Sequence, residues 1–141
     1  MVKQYALIFF VVFCFGASAY AVDFALYQRV IATIETGDDH SAIGSSGERS
    51  RFQFMERTWN QYTDKPFQKA TSHPDLADEV FRKHFEWSKR ALRTLDLEVS
   101  AYTLALLHNA GYGTIQRDSV LPRHRDYAQR ASALYNSLKN D

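Results

Sequence analysis

The chain predicts a single, compact, mainly helical domain. Three observations carry that prediction: stretches whose apolar residues recur at helical spacing, Gly and Pro residues that punctuate their ends, and a mature length that suits one core. The segment from Asp75 to Leu95 is the clearest, with Ala77, Val80, Phe81, His84, Phe85, Ser88, Leu92 and Leu95 along one face. Asp75, Asp78 and Glu79 near its start complement the helix dipole.

The opening residues have a different character. Lys3 is followed by an apolar run from Tyr5 to Phe15 and then by Gly16-Ala17-Ser18-Ala19-Tyr20-Ala21. A basic start, a short apolar stretch and an A-x-A ending describe a secretory signal peptide over residues 1–21, with Ala19 as the rival cleavage site. The run falls short of the roughly 20 residues a membrane span needs. Residues 22–141 then form the folded domain, about 120 residues around one core. The expectation is an exported protein, periplasmic or extracellular, with no stable membrane insertion once the signal is removed.

The remaining elements follow in order. Tyr27, Val30, Ile31 and Ile34 share one helical face and place a helix over Asp23 to Ile34. Gly37 to Arg51, rich in Gly, Ser and Asp, reads as a loop or small irregular hairpin. Met55 to Tyr62 predicts a short helix, and Lys65 to Pro74 a connector marked by Pro66 and Pro74. Glu98 to Asn109 predicts a further helix stopped by Gly111. Arg125 to Leu138 closes the domain, with Tyr127, Ala131, Leu134, Tyr135 and Leu138 facing inward.

Composition narrows the function classes. The only cysteine, Cys14, lies in the signal segment, so the mature chain would hold neither a disulfide nor a thiolate metal site. Without Lys3, 16 basic residues balance 16 acidic ones, which gives no strong pull toward nucleic acid or an anionic membrane. His40, His73, His84, His108 and His124 lack the paired spacing of a zinc helix, and His84 on the inward stripe reads as a satisfied core histidine. No G-x-S-x-G elbow and no phosphate-binding glycine loop is present in the sequence. The expectation is therefore a site without metal or cofactor.

One carboxylate stands out. Glu35 closes the apolar stripe of the first helix, against its core side. Burial there raises a carboxyl pKa and keeps the group protonated near neutrality, as a general acid requires. The competing reading is an ordinary exposed glutamate at a helix end. Gln53, in Arg51-Phe52-Gln53-Phe54-Met55, can both donate and accept, and so can hold a sugar acetamido group, orient a carboxyl or cap the helix that follows.

These residues fall in a pattern. From Glu35 to Trp59 the chain carries Glu35, Gly37, Ala42, Gly47, Gln53, Met55, Thr58 and Trp59 in order. The segment resembles the catalytic core of soluble-type (SLT) lytic transglycosylases of the lysozyme-like superfamily, whose pattern is roughly E-S-G, N-P-x-A and G-x-x-G-L-M-Q-x-M-P-x-T-W. Ala105 to Gly113, A-L-L-H-N-A-G-Y-G, is similar to that family's A-Y-N-A-G-P-G. Arg125-Asp126-Tyr127 and Leu134-Tyr135 resemble its closing helix. The resemblance implies a lysozyme-like α+β fold whose sheet portion is reduced to the loop after Glu35. It also implies cleavage of the β-1,4 bond between N-acetylmuramic acid and N-acetylglucosamine, with peptidoglycan glycan strands as the partner.

In that family one glutamate acts as acid and then as base. The N-acetyl group assists departure, and the sugar's C6 hydroxyl closes a 1,6-anhydro end. The resemblance assigns both proton transfers to Glu35 and substrate contacts to Gln53, Asn109, Tyr127 and His108. It places the Tyr127 hydroxyl near the glutamate, whereas Asn109 otherwise reads as a helix C-terminal residue and Tyr127 as a core tyrosine. Ser50, Arg51, Glu56, His40 and His108 depart from the pattern. Arg51 and His108 are expected near the groove, where they would either alter subsite preference or favour the charged form of Glu35 and shift its pH optimum. Glu48, Asp38 and Asp39 are either a solvated loop or carboxylates that position water, as in a lysozyme-type hydrolase. A non-catalytic peptidoglycan-binding module is the reading from another class. A monomer is expected, with a cell-envelope protein supplying localisation.

Overall fold

Asp23 starts the first helix by accepting a 2.7 Å hydrogen bond from the Leu26 N–H, and α1 runs from Phe24 to Thr36. Gly37 ends it at φ 66°, a left-handed conformation open to glycine. The Gly37 and Asp38 N–H groups bond back to the Thr33 and Ala32 carbonyls, satisfying acceptors the helix would leave unpaired. Glu35 is thereby fixed in the last turn of a capped helix.

The structure is a computed structural model that describes residues 21–141. Residues 1–20, which carry nearly all of the expected signal peptide and Cys14, lie outside the described residues. Beyond α1 the helices are α2 (Glu56–Trp59), α3 (Pro74–Thr94), α4 (Ala101–Ala110), α5 (Tyr112–Gln116) and α6 (Pro122–Lys139), with a 3₁₀ turn at Phe67–Ala70. The domain is mainly helical. Among the described residues none of the helices is long and apolar enough to cross a membrane.

Several boundaries differ from the sequence expectation. The connector after Lys65 contains the 3₁₀ turn. The last helix begins at Pro122, three residues before Arg125, because proline suits the first helical position and His124 Nδ1 accepts the Leu121 N–H at 3.2 Å. Helix α5 was not expected at all. The loop after α1 forms no strand, only isolated antiparallel bridges that pair Ile43 with Arg49 and Arg49 with Phe54.

Helix α4 is the hub. Ala101, Leu104, Ala105, Leu106 and Leu107 are all buried, and Ser100 and Thr103 cap its start reciprocally. Small residues on both sides, Ala101 and Ala105 on α4 and Ala128 and Ala131 on α6, let these helices pack closely. The aromatic half of the core joins α1, the loop and α3. Phe52 stacks on Phe81 with centroids 4.1 Å apart, and buried Trp59 donates to the Lys65 carbonyl at 2.8 Å. Burying side chains of this size contributes about 1.5–3 kcal/mol each.

Two tyrosines of α6 hold both ends of α1. The Asp23 N–H donates to the Tyr135 hydroxyl at 2.8 Å, and the Tyr127 hydroxyl donates to Glu35 at 2.6 Å. The helices therefore run antiparallel, and the second of these bonds lies in a groove.

Candidate active site

A groove of about 750 Å³ opens where the end of α1, the loop, α3 and the α4–α5 junction converge. Glu35, Glu48, Gln53, His84, His108 and Asn109 are among its walls. Four of the five residues named from the sequence thus surround one space. The fifth, Tyr127, lies behind Glu35 and reaches it through its hydroxyl.

Glu35 is 18% exposed at its side chain, buried on one side and open to the groove on the other. Its Oε1 accepts the Tyr127 O–H at 2.6 Å and lies 3.4 Å from His108 Nε2. Burial is the largest single influence on its pKa and pushes it upward. The hydrogen bond and charge of His108, the Tyr127 hydroxyl and the charge of Arg130 together outweigh burial. The Glu35 carboxyl is held below the ordinary glutamate value. The expectation of an acid kept protonated in the free protein is therefore overturned: the resting group near neutral pH is a carboxylate.

His108 is 8% exposed at its side chain and packs against Tyr127, Phe81, Phe54 and His84. Its Nδ1 is buried without a hydrogen-bond partner, so Nε2 facing Glu35 is the anchored end of the ring. His84 receives support that His108 lacks. Its Nδ1 lies 3.0 Å from the Tyr62 hydroxyl, and its ring stacks on Trp87. Burial and the neighbouring charge of His108 push its pKa down to about 3, so His84 is neutral across the physiological range.

Gln53 sits at φ 51°, and its Nε2 donates to the Ser50 carbonyl at 2.9 Å. It does not cap α2, whose N-cap Met55 has no side-chain cap bond. Its Oε1 and the Glu48 carboxylate approach the same side of Gly44, leaving no room for a Cβ there. Asn109, exposed in the last turn of α4, also lines the groove.

The loop carboxylates separate into two groups. Glu48 lines the groove, and its Oε2 accepts the Ser46 N–H at 2.9 Å. Asp38 is bound 2.7 Å from Arg51, and Asp39 accepts from the Ser41 N–H and hydroxyl. Arg51 itself is not a groove residue. Its guanidinium bridges Asp38 and Asp78 at 2.7 Å each, tying the loop to α3. The long arginine stem spans from loop to helix, and two carboxylates hold its head there.

Sequence reading missed Trp87, Tyr112, Arg57 and Arg117 among the groove walls. Trp87 carried a usable signal, three residues after His84 on the same helix. Tyr112 and Arg117 belong to the unforeseen α5. Among the described residues, no group of three or more His, Cys, Asp or Glu side chains is placed to hold a metal ion. A scan against protein-family models finds no match for this chain, and searches of curated proteins and of solved structures likewise find none.

Proposed function

We propose that this chain is a lysozyme-like peptidoglycan lytic transglycosylase that cleaves the bond between N-acetylmuramic acid and N-acetylglucosamine with Glu35. The observation that carries the reading is the position of Glu35. It is a capped-helix carboxyl, held from behind by Tyr127 and beside by His108, with its free side facing a polar groove wide enough for a glycan.

The proton comes to Glu35 as substrate binds. A sugar filling the groove displaces water from the open side of the carboxyl and strengthens the burial that already pushes its pKa upward. The protonated group then donates to the leaving glycosidic oxygen. The resulting carboxylate, stabilised by the Tyr127 hydroxyl and by His108, takes the proton from the attacking C6 hydroxyl. Gln53 and Asn109, both in the groove lining, supply amide groups for the acetamido substituents. No cofactor enters this scheme. Export to the periplasm or beyond the cell is part of the proposal, since the substrate lies there.

A second reading rests on Glu48, which shares the groove with Glu35. A carboxylate on the loop wall can orient water and turn the same acid to hydrolysis, as in a lysozyme. The test of the shared chemistry is release of soluble fragments from purified peptidoglycan. Release by the wild-type chain and none by Glu35→Gln is expected. Sedimentation with the wall and no release from either would leave a binding module.

A further inference from the structure

The groove does not end at Trp87. A second cavity of about 570 Å³ adjoins it, and Gln61 and Trp87 belong to the walls of both. Its floor is aromatic, with Tyr62 beside Trp87, and its rim carries Arg82, Lys83 and Arg90. These cations lie on α3 within a nine-residue stretch of about two and a half turns, with Trp87 between Lys83 and Arg90.

Their partners decide the sign of this cavity. Lys83 is paired with Glu79 at 2.7 Å and donates to the Tyr62 carbonyl at 3.1 Å. The one acid in the wall, Glu86, is held by Lys89 at 2.8 Å. Arg82 lies over the Phe24 ring at 4.0 Å and has no carboxylate partner among the described residues. Arg90, exposed at the rim, also has none. The Arg82 head is thus spent on Phe24, outside this cavity, and Arg90 is the uncompensated guanidinium beside an aromatic floor that continues into the groove.

We propose that this cavity binds the acidic peptide carried by the glycan, with a carboxylate on Arg90. The proposal rests on the reading of the groove as a peptidoglycan site. Guanidinium groups favour carboxylates over uncharged sugar hydroxyls, because a planar fork can bond both oxygens at once. The shared wall at Trp87 makes the cavity reachable by a substituent of the same strand that presents its glycosidic bond to Glu35.

The test is binding of the Glu35→Gln chain to glycan strands with and without their stem peptides, measured at low and moderate salt. This reads the cavity whether or not the bond is cut. Stem-bearing strands are expected to bind about two- to fivefold more tightly, the range open to an exposed charge pair, with the difference shrinking as salt rises. Arg90→Glu should abolish the preference without weakening stem-free binding, and Arg90→Lys should restore part of it. Equal affinity for both strands, no binding of either, or a preference that survives Arg90→Glu would overturn the assignment. The catalytic reading stands or falls separately, on fragment release by the wild-type chain.

Discussion

The Tyr127 hydroxyl donates a 2.6 Å hydrogen bond to Oε1 of Glu35, joining residues 92 positions apart. Tyr127 is buried in α6 and Glu35 ends α1, so one bond fixes the carboxyl and clamps two helices. The hydroxyl is a better donor to a carboxylate than to a carboxylic acid, and it contributes to holding Glu35 charged.

Tyr127→Phe should therefore lower stability near neutral pH by about 1.5–3 kcal/mol, the range for a hydrogen bond to a charged group. Most of that loss should disappear in a Glu35→Ala background. Urea unfolding of the two single variants and the double variant measures the coupling. An equal cost in both backgrounds would mean that the hydroxyl stabilises the protein by another route.

His108 supplies two of the influences that lower the Glu35 pKa, a hydrogen bond and a charge. His108→Asn should leave burial less opposed and raise that pKa. Activity on peptidoglycan depends on protonated Glu35, so kcat/KM of the wild type should fall about tenfold per pH unit above the Glu35 pKa. The falling limb should move to higher pH in the variant. An unmoved limb would remove His108 from control of the acid.

Protonation of His84 should set the acid side of the stability curve. Its folded pKa, near 3, lies below the unfolded value of about 6.5. Between those values the unfolded chain binds the extra proton. The stability present above pH 6.5 is lost as pH falls, by up to about 1.4 kcal/mol per unit. Glu35 adds a later loss, below the ordinary glutamate range, because its folded pKa is also depressed. His84→Gln should flatten the first slope and keep the second, as thermal unfolding followed from about pH 7 down to about pH 3 would reveal.

Gly44 should matter for the groove more than for the fold. An added Cβ would overlap the Glu48 carboxylate and approach Gln53 Oε1 to 2.5 Å. Both are ends of side chains that can swing aside. Gly44→Ala should thus change the melting temperature little but displace both groups and lower turnover by up to about a hundredfold. A folded, fully active variant would argue that neither group acts on substrate.

What could be read in advance follows from the range of the interactions involved. The stripe on α3, the cap at Gly111 and the place of Glu35 at the end of α1 depend on residues within a few turns, so periodicity revealed them. Helix α5 did not show because Tyr112–Gln116 is too short for a periodic stripe and contains Gly113. The charge of Glu35 was misjudged for a different reason. Burial was visible in the sequence, but the offsetting influences come from His108, Tyr127 and Arg130 on α4 and α6. The resemblance anticipated the Tyr127 hydroxyl near the glutamate, and an effect of His108 on its charge was also foreseen. Only the fold shows that their sum outweighs burial. Arg51 was expected near the groove from its position in the motif, whereas it is not among the groove walls and bridges Asp38 and Asp78.

The most direct measurement is digestion of purified peptidoglycan in ¹⁸O-labelled water by the wild-type chain and by Glu35→Gln, with mass spectrometry of the new ends. Anhydromuramyl ends without label, absent from the variant digest, are the expected result. Reducing ends carrying one ¹⁸O would contradict intramolecular closure and give the water-activating role to Glu48. Unchanged cleavage by Glu35→Gln would contradict the central claim that Glu35 is the acid.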